Sequence, residues 1–376
     1  MRIVFFVTIV MGALLYAMPS FGDDIADCNS RAPDRVVRGC TRIITQRVAS
    51  NVELSKAYVS RGNAYVQMKK VGEARADFLT ATRQNPKNAF AWYLLGWVDI
   101  DRDNTAAVAN LTKAIELEPS NAYYRLDLGV VHARQGRTDL AIQQYTRAIS
   151  LNPAYALAYY NRGLAYAMLD NYSSAVSDLT EAIGRNPQFA RAYVFRAKYN
   201  VKLGNFNLAL PDLNEAIRLD PVNDDAYFQR GRVHSIFSRH DLAIADYTKS
   251  IELFPDGSGA YSNRGIAHIK KGEYDLALLD LDKSLAIDPN NAFSRYNRAI
   301  VYAIKRNYRI ALSDINDAIN LRPEHASQVY VRSIIRSALG DSSGSEGDRA
   351  HAMQLDPKLG EAVGKEASPI DYFAKR

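Results

Sequence analysis

The chain has 376 residues, 47% of them hydrophobic and 23% charged, an ordinary globular composition. Its 47 Lys and Arg against 41 Asp and Glu give a net charge of +6. So mild an excess, with no long Lys/Arg block, argues against a nucleic-acid arm and leaves DNA and RNA out as partners.

The first stretch is of a different kind from the rest. Arg2 is followed by an uncharged apolar run from Ile3 to Leu15, then by the small residues Ser20 and Gly22. The run is too short to cross a bilayer comfortably, and Pro19 follows it. The expectation is a removable secretory signal over residues 1–22, cut near Gly22, and a secreted or periplasmic mature chain without a membrane span. No Cys lies near the cut to carry a lipid anchor.

The only cysteines, Cys28 and Cys40, follow that signal. In an oxidising compartment they read as a disulfide, worth about 3 kcal/mol for so short a loop in the chain-entropy view. A metal or redox pair needs further ligands or a C-x-x-C spacing, and the neighbourhood offers neither. Val36, Val37, Cys40, Ile43, Ile44 and Val48 recur at helical spacing, so a disulfide-stapled capping helix is expected within residues 23–54, as the second helix of an incomplete leading repeat. Ser50 and Glu53 then form a capping-box pattern that opens a new helix.

From there the chain repeats itself. Pro86, Pro119, Pro153, Pro187, Pro221, Pro255, Pro289, Pro323 and Pro357 are spaced by 33 residues once and then by 34 seven times. Between successive prolines lie two helical patterns, seen most plainly where Tyr159, Gly163, Tyr166, Tyr172, Ala175, Ala182 and Pro187 alternate bulk, close approach, bulk and a stop. Such a period implies a helical solenoid. The pattern resembles the tetratricopeptide repeat (TPR) family over residues 55–359. The resemblance implies an all-α, right-handed solenoid of antiparallel helix pairs, in nine units: 55–88, 89–121, 122–155, 156–189, 190–223, 224–257, 258–291, 292–325 and a degenerate 326–359. Residues 360–376 are expected to be a cap or tail.

Several details follow from superimposing the repeats. Gly62, Gly96, Gly129, Gly163, Gly231 and Gly265 on first helices are expected to admit Ala74, Ala107, Ala141, Ala175, Ala243 and Ala277 of the second. The second repeat is one residue short, in the turn around Asp101 to Asn104. Asp99, Asp101 and Asp103 there superficially resemble a calcium loop, but Asn104 and Asn110 stand where its Gly and Glu are required, so a solvated turn is expected. In the last repeat Ser345, Gly344, Gly347 and Arg349 depart from the pattern, as a terminal cap with a polar outer face would. Finally, seven repeats carry Arg at position seven with Asp sixteen residues on, from Arg61 and Asp77 to Arg332 and Asp348. The other two carry Leu95 with Asn110 and Leu128 with Gln144. Appearing and vanishing together, Arg and Asp read as ion pairs joining a first helix to a second helix, of its own repeat or a neighbouring one; duplicated solvated positions are the alternative.

No H-E-x-x-H, G-x-S-x-G, Walker loop or dinucleotide glycine motif is present, so no enzyme, cofactor or metal is expected. His132, His234 and His268 occupy a position held elsewhere by Tyr65, Tyr166 and Tyr302, which reads as packing. In the resembled family the first helices line a binding groove. Carried onto this chain, the groove positions are Phe90, Tyr93, Trp97, Tyr123, Tyr160 and Asn161, then Arg191, Lys198, Lys202, Phe228 and Arg232, then Asn263, Lys270, Tyr296 and Asn297. Aromatic ends with a basic middle suit an extended peptide bearing acidic and apolar residues. An envelope glycan stacked on Tyr and Trp is the alternative. Val59 stands beside Asn63 where the two-carboxylate clamp of chaperone-binding TPR domains needs Lys, so that specificity is not expected.

Overall fold

A computed structural model describes residues 21–46 and 49–359. The leader 1–20, Val48 and the tail 360–376 considered above lie outside the described residues. The chain divides into two compact units, residues up to Ala165 and residues from Tyr166 on. Among the described residues all regular structure is helical.

The first unit opens on α1 (Phe21–Cys28) and α2 (Pro33–Gln46). The helix expected from Asp34 is thus α2, and the leading repeat has both of its helices. Cys28 and Cys40 are joined, closing α1 onto α2. Asp24, fully buried, accepts from Arg42 and from Gln46 (2.9 Å), so the hairpin carries its own polar tie. Next come α3 (Asn51–Gln67), α4 (Val71–Gln84), α5 (Ala89–Asp99), α6 (Asn104–Leu117), α7 (Ala122–Arg134) and α8 (Thr138–Leu151). The capping box forms at the start of α3: Glu53 N donates to Ser50 Oγ, and Ser50 N donates to the Glu53 carboxylate. α9 (Ala156–Met168) contains the division between the units.

The second unit continues with α10 (Tyr172–Arg185), α11 (Ala190–Lys202), α12 (Phe206–Leu219), α13 (Asp224–Ile236), α14 (His240–Leu253) and α15 (Ser258–Lys271). It ends with α16 (Tyr274–Ile287), α17 (Ala292–Ile304), α18 (Tyr308–Leu321), α19 (Ala326–Ala338) and α20 (Ser342–Leu355). Within the units α3, α5, α7, α11, α13, α15, α17 and α19 each pack on the second helix of their own repeat, and α4, α6, α10, α12, α14, α16 and α18 on the next first helix. The first helices α11, α13, α15, α17 and α19 also touch in succession, forming one row.

The turn inside each hairpin uses a left-handed residue: Gly136, Gly204, Gly272 and Gly340, but also Lys69, Asp170, Ser238 and Arg306. In the short second repeat Asp103 takes the N-cap place that follows the left-handed residue elsewhere; it is extended (φ −149°) and caps α6 by accepting from Thr105 N and Ala106 N. The deleted residue is the left-handed one. The triple-aspartate turn is thereby explained without a cation, since Asp99 is buried and held by Arg75 (2.6 Å) and Asn110 (3.3 Å).

Gly62, Gly129 and Gly231 meet a larger residue before the alanine, and only on Gly265, among the glycines described, would a Cβ also approach the alanine, at the Ala277 carbonyl (3.3 Å). A Cβ on Gly62 would lie 2.5 Å from the Phe78 ring, one on Gly129 2.5 Å from Tyr145, and one on Gly231 2.7 Å from Tyr247. Each glycine makes room for the large side chain one helical turn beyond the alanine, because the second helix presents that residue where the two axes come nearest. On Gly265 a Cβ would meet Leu281 at 3.1 Å, a looser fit. Ala197 and Ala299 occupy the position where the packed neighbours are the aliphatic Leu213 and Ile315. In the last repeat Arg349 replaces the large residue and lies over Tyr330 at 5.9 Å. Despite Gly344 and Gly347, α20 is intact, its start capped by Asp341.

Six of the seven expected arginine pairs are described, and each of these lies within one repeat. Arg61–Asp77, Arg196–Asp212, Arg230–Asp246, Arg264–Asp280, Arg298–Asp314 and Arg332–Asp348 are bidentate, with distances between 2.6 and 2.9 Å. The aspartate side chains are at most 8% exposed. The hydrogen-bonded aspartate raises each of Arg61, Arg196, Arg230, Arg264 and Arg298 above the usual guanidinium range. The remaining Nη1 reaches back to the second helix of the preceding repeat. Arg196 donates to Thr180 (3.2 Å), Arg230 to Asn214 (2.9 Å), Arg264 to Thr248 (2.9 Å), Arg298 to Asp282 (2.6 Å) and Arg332 to Asn316 (3.1 Å). One guanidinium therefore ties three helices.

Two tests follow from this packing. Removing either member of Arg230–Asp246 strands a charge in a nearly dry site and should cost about 3 to 5 kcal/mol. The paired exchange Arg230→Leu with Asp246→Asn, the combination present natively as Leu95 and Asn110, should cost far less than the two single changes added; additive losses in urea unfolding would refute the coupling. Gly231→Ala should lose roughly 1 to 3 kcal/mol to overpacking against Tyr247, partly offset by about 1 kcal/mol of helix propensity. Gly265→Ala should be nearly neutral, and equal urea midpoints for the two would contradict the steric account.

Candidate functional site

In each unit the first helices carry the groove residues at positions two, five, six, nine and thirteen of their repeats, which share one face of a helix. In the first unit Phe90, Trp97 and Tyr123 are the exposed rings, at 44%, 43% and 56%. Tyr93 is half-buried between neighbours, stacked on Phe90 (6.0 Å) and on Tyr124 (4.7 Å). Tyr123 leans on Tyr155 at 5.0 Å. Asn161 is partly accessible, whereas Tyr160 is buried and belongs to the packing.

The rings gather around a residue missed from sequence, Asp127 on α7. Tyr93 Oη donates to its Oδ2 at 2.9 Å. Burial raises the Asp127 carboxyl, and the tyrosine hydrogen bond opposes that shift. Burial, and then the charge of this carboxylate, raise Tyr93, Tyr145 and Tyr155. A signal for it exists in the sequence. Position six holds Ser60, Leu94, Asp127, Asn161, Phe195, Gln229, Asn263, Asn297 and Val331, and Asp127 is the sole acid among them.

In the second unit the same face is cationic. Arg191 and Lys202 are exposed. Lys198 lies over the Phe195 ring at 5.6 Å and Arg232 over Phe228 at 6.0 Å. Arg232 also donates to Gln229 (2.8 Å), whose amide donates to Asp225 (2.8 Å). Among the described residues none of Arg191, Lys198, Lys202 and Arg232 meets a carboxylate, whereas elsewhere in this unit Lys271 pairs with Asp241 and Glu273, and Lys305 with Asp275. Burial lowers Lys270 from 10.5 to about 8. Its native charge is therefore held at a penalty below pH 8, and that penalty is relieved as pH rises from about 8 towards 10.5.

The groove asparagines are engaged by their own helices. Asn263 Nδ2 donates to Gly259 O and Asn297 Nδ2 to Phe293 O, both at 2.8 Å, and Asn297 is buried. One of the two N–H groups of each amide is thus used within the helix, one turn back. Tyr296 is half-buried, tilted against His325 at 6.3 Å. Of the histidines, His132 and His234 are lowered chiefly by burial, and His268 Nδ1 lies 2.6 Å from Glu273. They sit inside the packing as the aromatic residues at that position do.

Comparison with known proteins adds to this geometry. Family profiles described as tetratricopeptide repeat match residues 59–98, 160–224, 196–258 and 258–291, and one described as TPR repeat matches 133–170; together they span more than half of the chain. The human protein O-mannosyl-transferase TMTC3 is 27% identical over 112 residues, 29% of this chain and 12% of the human protein. The chain thus spans only a small part of that relative's length, which gives no ground for assigning it a transferase activity. Among solved structures, a chain of the APC/C Cut9–Hcn1 hetero-tetramer superimposes with a TM-score of 0.55 at 16% identity, covering 81% of this chain and 60% of that one. A tetratricopeptide repeat protein from Parabacteroides merdae gives 0.51 at 21% identity, covering 66% and 98%. These last two likenesses speak to the fold alone. Stacked 34-residue helix pairs with matching family profiles make the chain a member of the tetratricopeptide repeat family.

Proposed function

We propose that the chain is a non-catalytic scaffold that binds an extended segment of a protein partner along its first-helix face. In the second unit that segment carries acidic and apolar side chains. The observation that carries this reading is the set of four cations, Arg191, Lys198, Lys202 and Arg232, on one helical face without carboxylate partners among the described residues. Two of them lie flat over aromatic rings. A ligand carboxylate gains a charge-assisted contact there, while the rings offer apolar area at low entropic cost. The leader sequence and the joined Cys28 and Cys40 support placing this activity in a secreted or periplasmic compartment.

Fluorescence polarisation against a library of labelled twelve-residue peptides tests the reading. Acidic, aromatic-containing peptides should be retained by the full chain, bind more weakly as salt is raised, and lose at least tenfold in affinity for the double variant Lys198→Glu with Arg232→Glu. Their affinity should also fall as pH rises through 8, where Lys270 gives up its charge, and Lys270→Met should flatten that part of the profile. Retention of neutral oligosaccharides, indifferent to salt and to charge reversal, would replace the protein partner with a glycan.

A further inference from the structure

We propose that the aromatic pocket around Asp127 receives a cationic side chain, a lysine ammonium or an arginine guanidinium, from the bound polypeptide. This rests on the peptide-binding reading above and adds a charge requirement in the first unit opposite to that of the second.

Where this chain sets an acid into its packing it supplies a cation, and the partly accessible Asp127 can be compared with those acids. Asp77, Asp212, Asp246, Asp280, Asp314 and Asp348 each hold a bidentate arginine. Asp99 holds Arg75, and Asp24 holds Arg42. Asp127 is the exception. Its hydrogen bond comes from a neutral phenol, and among the described residues it makes no ion pair. The cations on its own element look elsewhere: Arg125 to Gln144 and the Pro119 carbonyl, Arg134 to Asp101. The phenol is the donor described on this carboxylate, which leaves it without an answering positive charge among the described residues, and a ligand cation would meet it beside the rings.

The surroundings match that deficit. Tyr93 and Tyr124 are stacked at 4.7 Å, and Tyr123 and Tyr155 lie 5.0 Å apart. Phe90 and Tyr123 are open to solvent at 44% and 56%, so rings at the edge of the cluster are within reach of a ligand. Aromatic faces attract cations through their quadrupole, more strongly where water is thinned. A carboxylate among tyrosine rings therefore favours an ammonium or guanidinium over a neutral group, which would leave the charge unanswered. A saccharide hydroxyl accepts the same stacking but brings no counter-charge.

The test uses the full chain and the same random twelve-residue peptide library. Retained peptides are remade with each lysine Nε-acetylated and each arginine replaced by citrulline. Neutralising one such residue should weaken binding at least tenfold. Asp127→Asn should produce a similar loss with the unmodified peptide, and neutralisation should then add nothing further. Asp139→Asn, which neutralises an exposed carboxylate at the start of α8 outside the pocket, should stay within a few-fold of the parent, and a urea midpoint of Asp127→Asn no lower than the parent's guards against a general folding defect. Acetylation and citrulline arms that leave affinity unchanged would overturn the cation pocket while the peptide-binding reading stands. A library from which nothing is retained would overturn both. Binding of neutral oligosaccharides that is lost in Tyr123→Ala yet kept in Asp127→Asn would assign the rings to sugar and overturn the proposal.

Discussion

A 34-residue helical hairpin has more apolar surface than it can cover alone, and every other feature of the structure answers that shortage. The alanines from Ala74 to Ala311 on the second helices are fully buried because first and second helices approach closely there. The large residue one turn later, Phe78, Tyr145 or Tyr247, is then driven into the first helix, and only glycine leaves space for a ring. Where the large residue is Leu213 or Ile315, alanine suffices. Close-packed interiors punish a single methyl group, so glycine and ring size are chosen together.

Stacking buries surface but does not by itself fix register, since apolar contacts have little direction. The arginine at position seven supplies direction. Its bidentate face locks the first helix to the second of its own repeat, and Nη1 locks both to the repeat before. The net stabilisation of such buried pairs is small; what they contribute is a penalty for any other arrangement. Repeats two and three show the alternative. There Leu95 and Leu128 are buried instead, and Asp99 is tied to Arg75, so a cross-repeat ion pair persists with different partners.

Nine copies of one unit act as an internal alignment, and this decides what sequence alone can reveal. The proline period, the shortened turn and the joint presence of Arg and Asp are all visible as columns that hold or fail together. The second acceptor of each arginine was not visible, because its column reads Thr180, Asn214, Thr248, Asp282 and Asn316, chemically varied though alike in accepting one hydrogen bond. The partner of each glycine was misjudged for a geometric reason: small residues suggest one another, but the axes come nearest one turn further on. That Asn263 and Asn297 each spend one amide N–H on their own helix is not legible in the sequence. Asp127 escaped because one departure in a column reads as drift.

That last residue bears on how the two first-helix faces are to be understood. A helix surface selected only for stability pairs its charges, and this chain does so wherever packing alone is at stake, from Asp24 with Arg42 to Asp348 with Arg332. On the first-helix face the rule lapses, in opposite senses. The second unit leaves Lys198 and Arg232 over aromatic rings with no carboxylate near, and the first leaves Asp127 among tyrosines with no cation near. Neither face answers these partly accessible charges with an ion pair among the described residues. The missing charges are those a bound segment can bring, and a ligand that supplies them is selected for sequence as well as for shape.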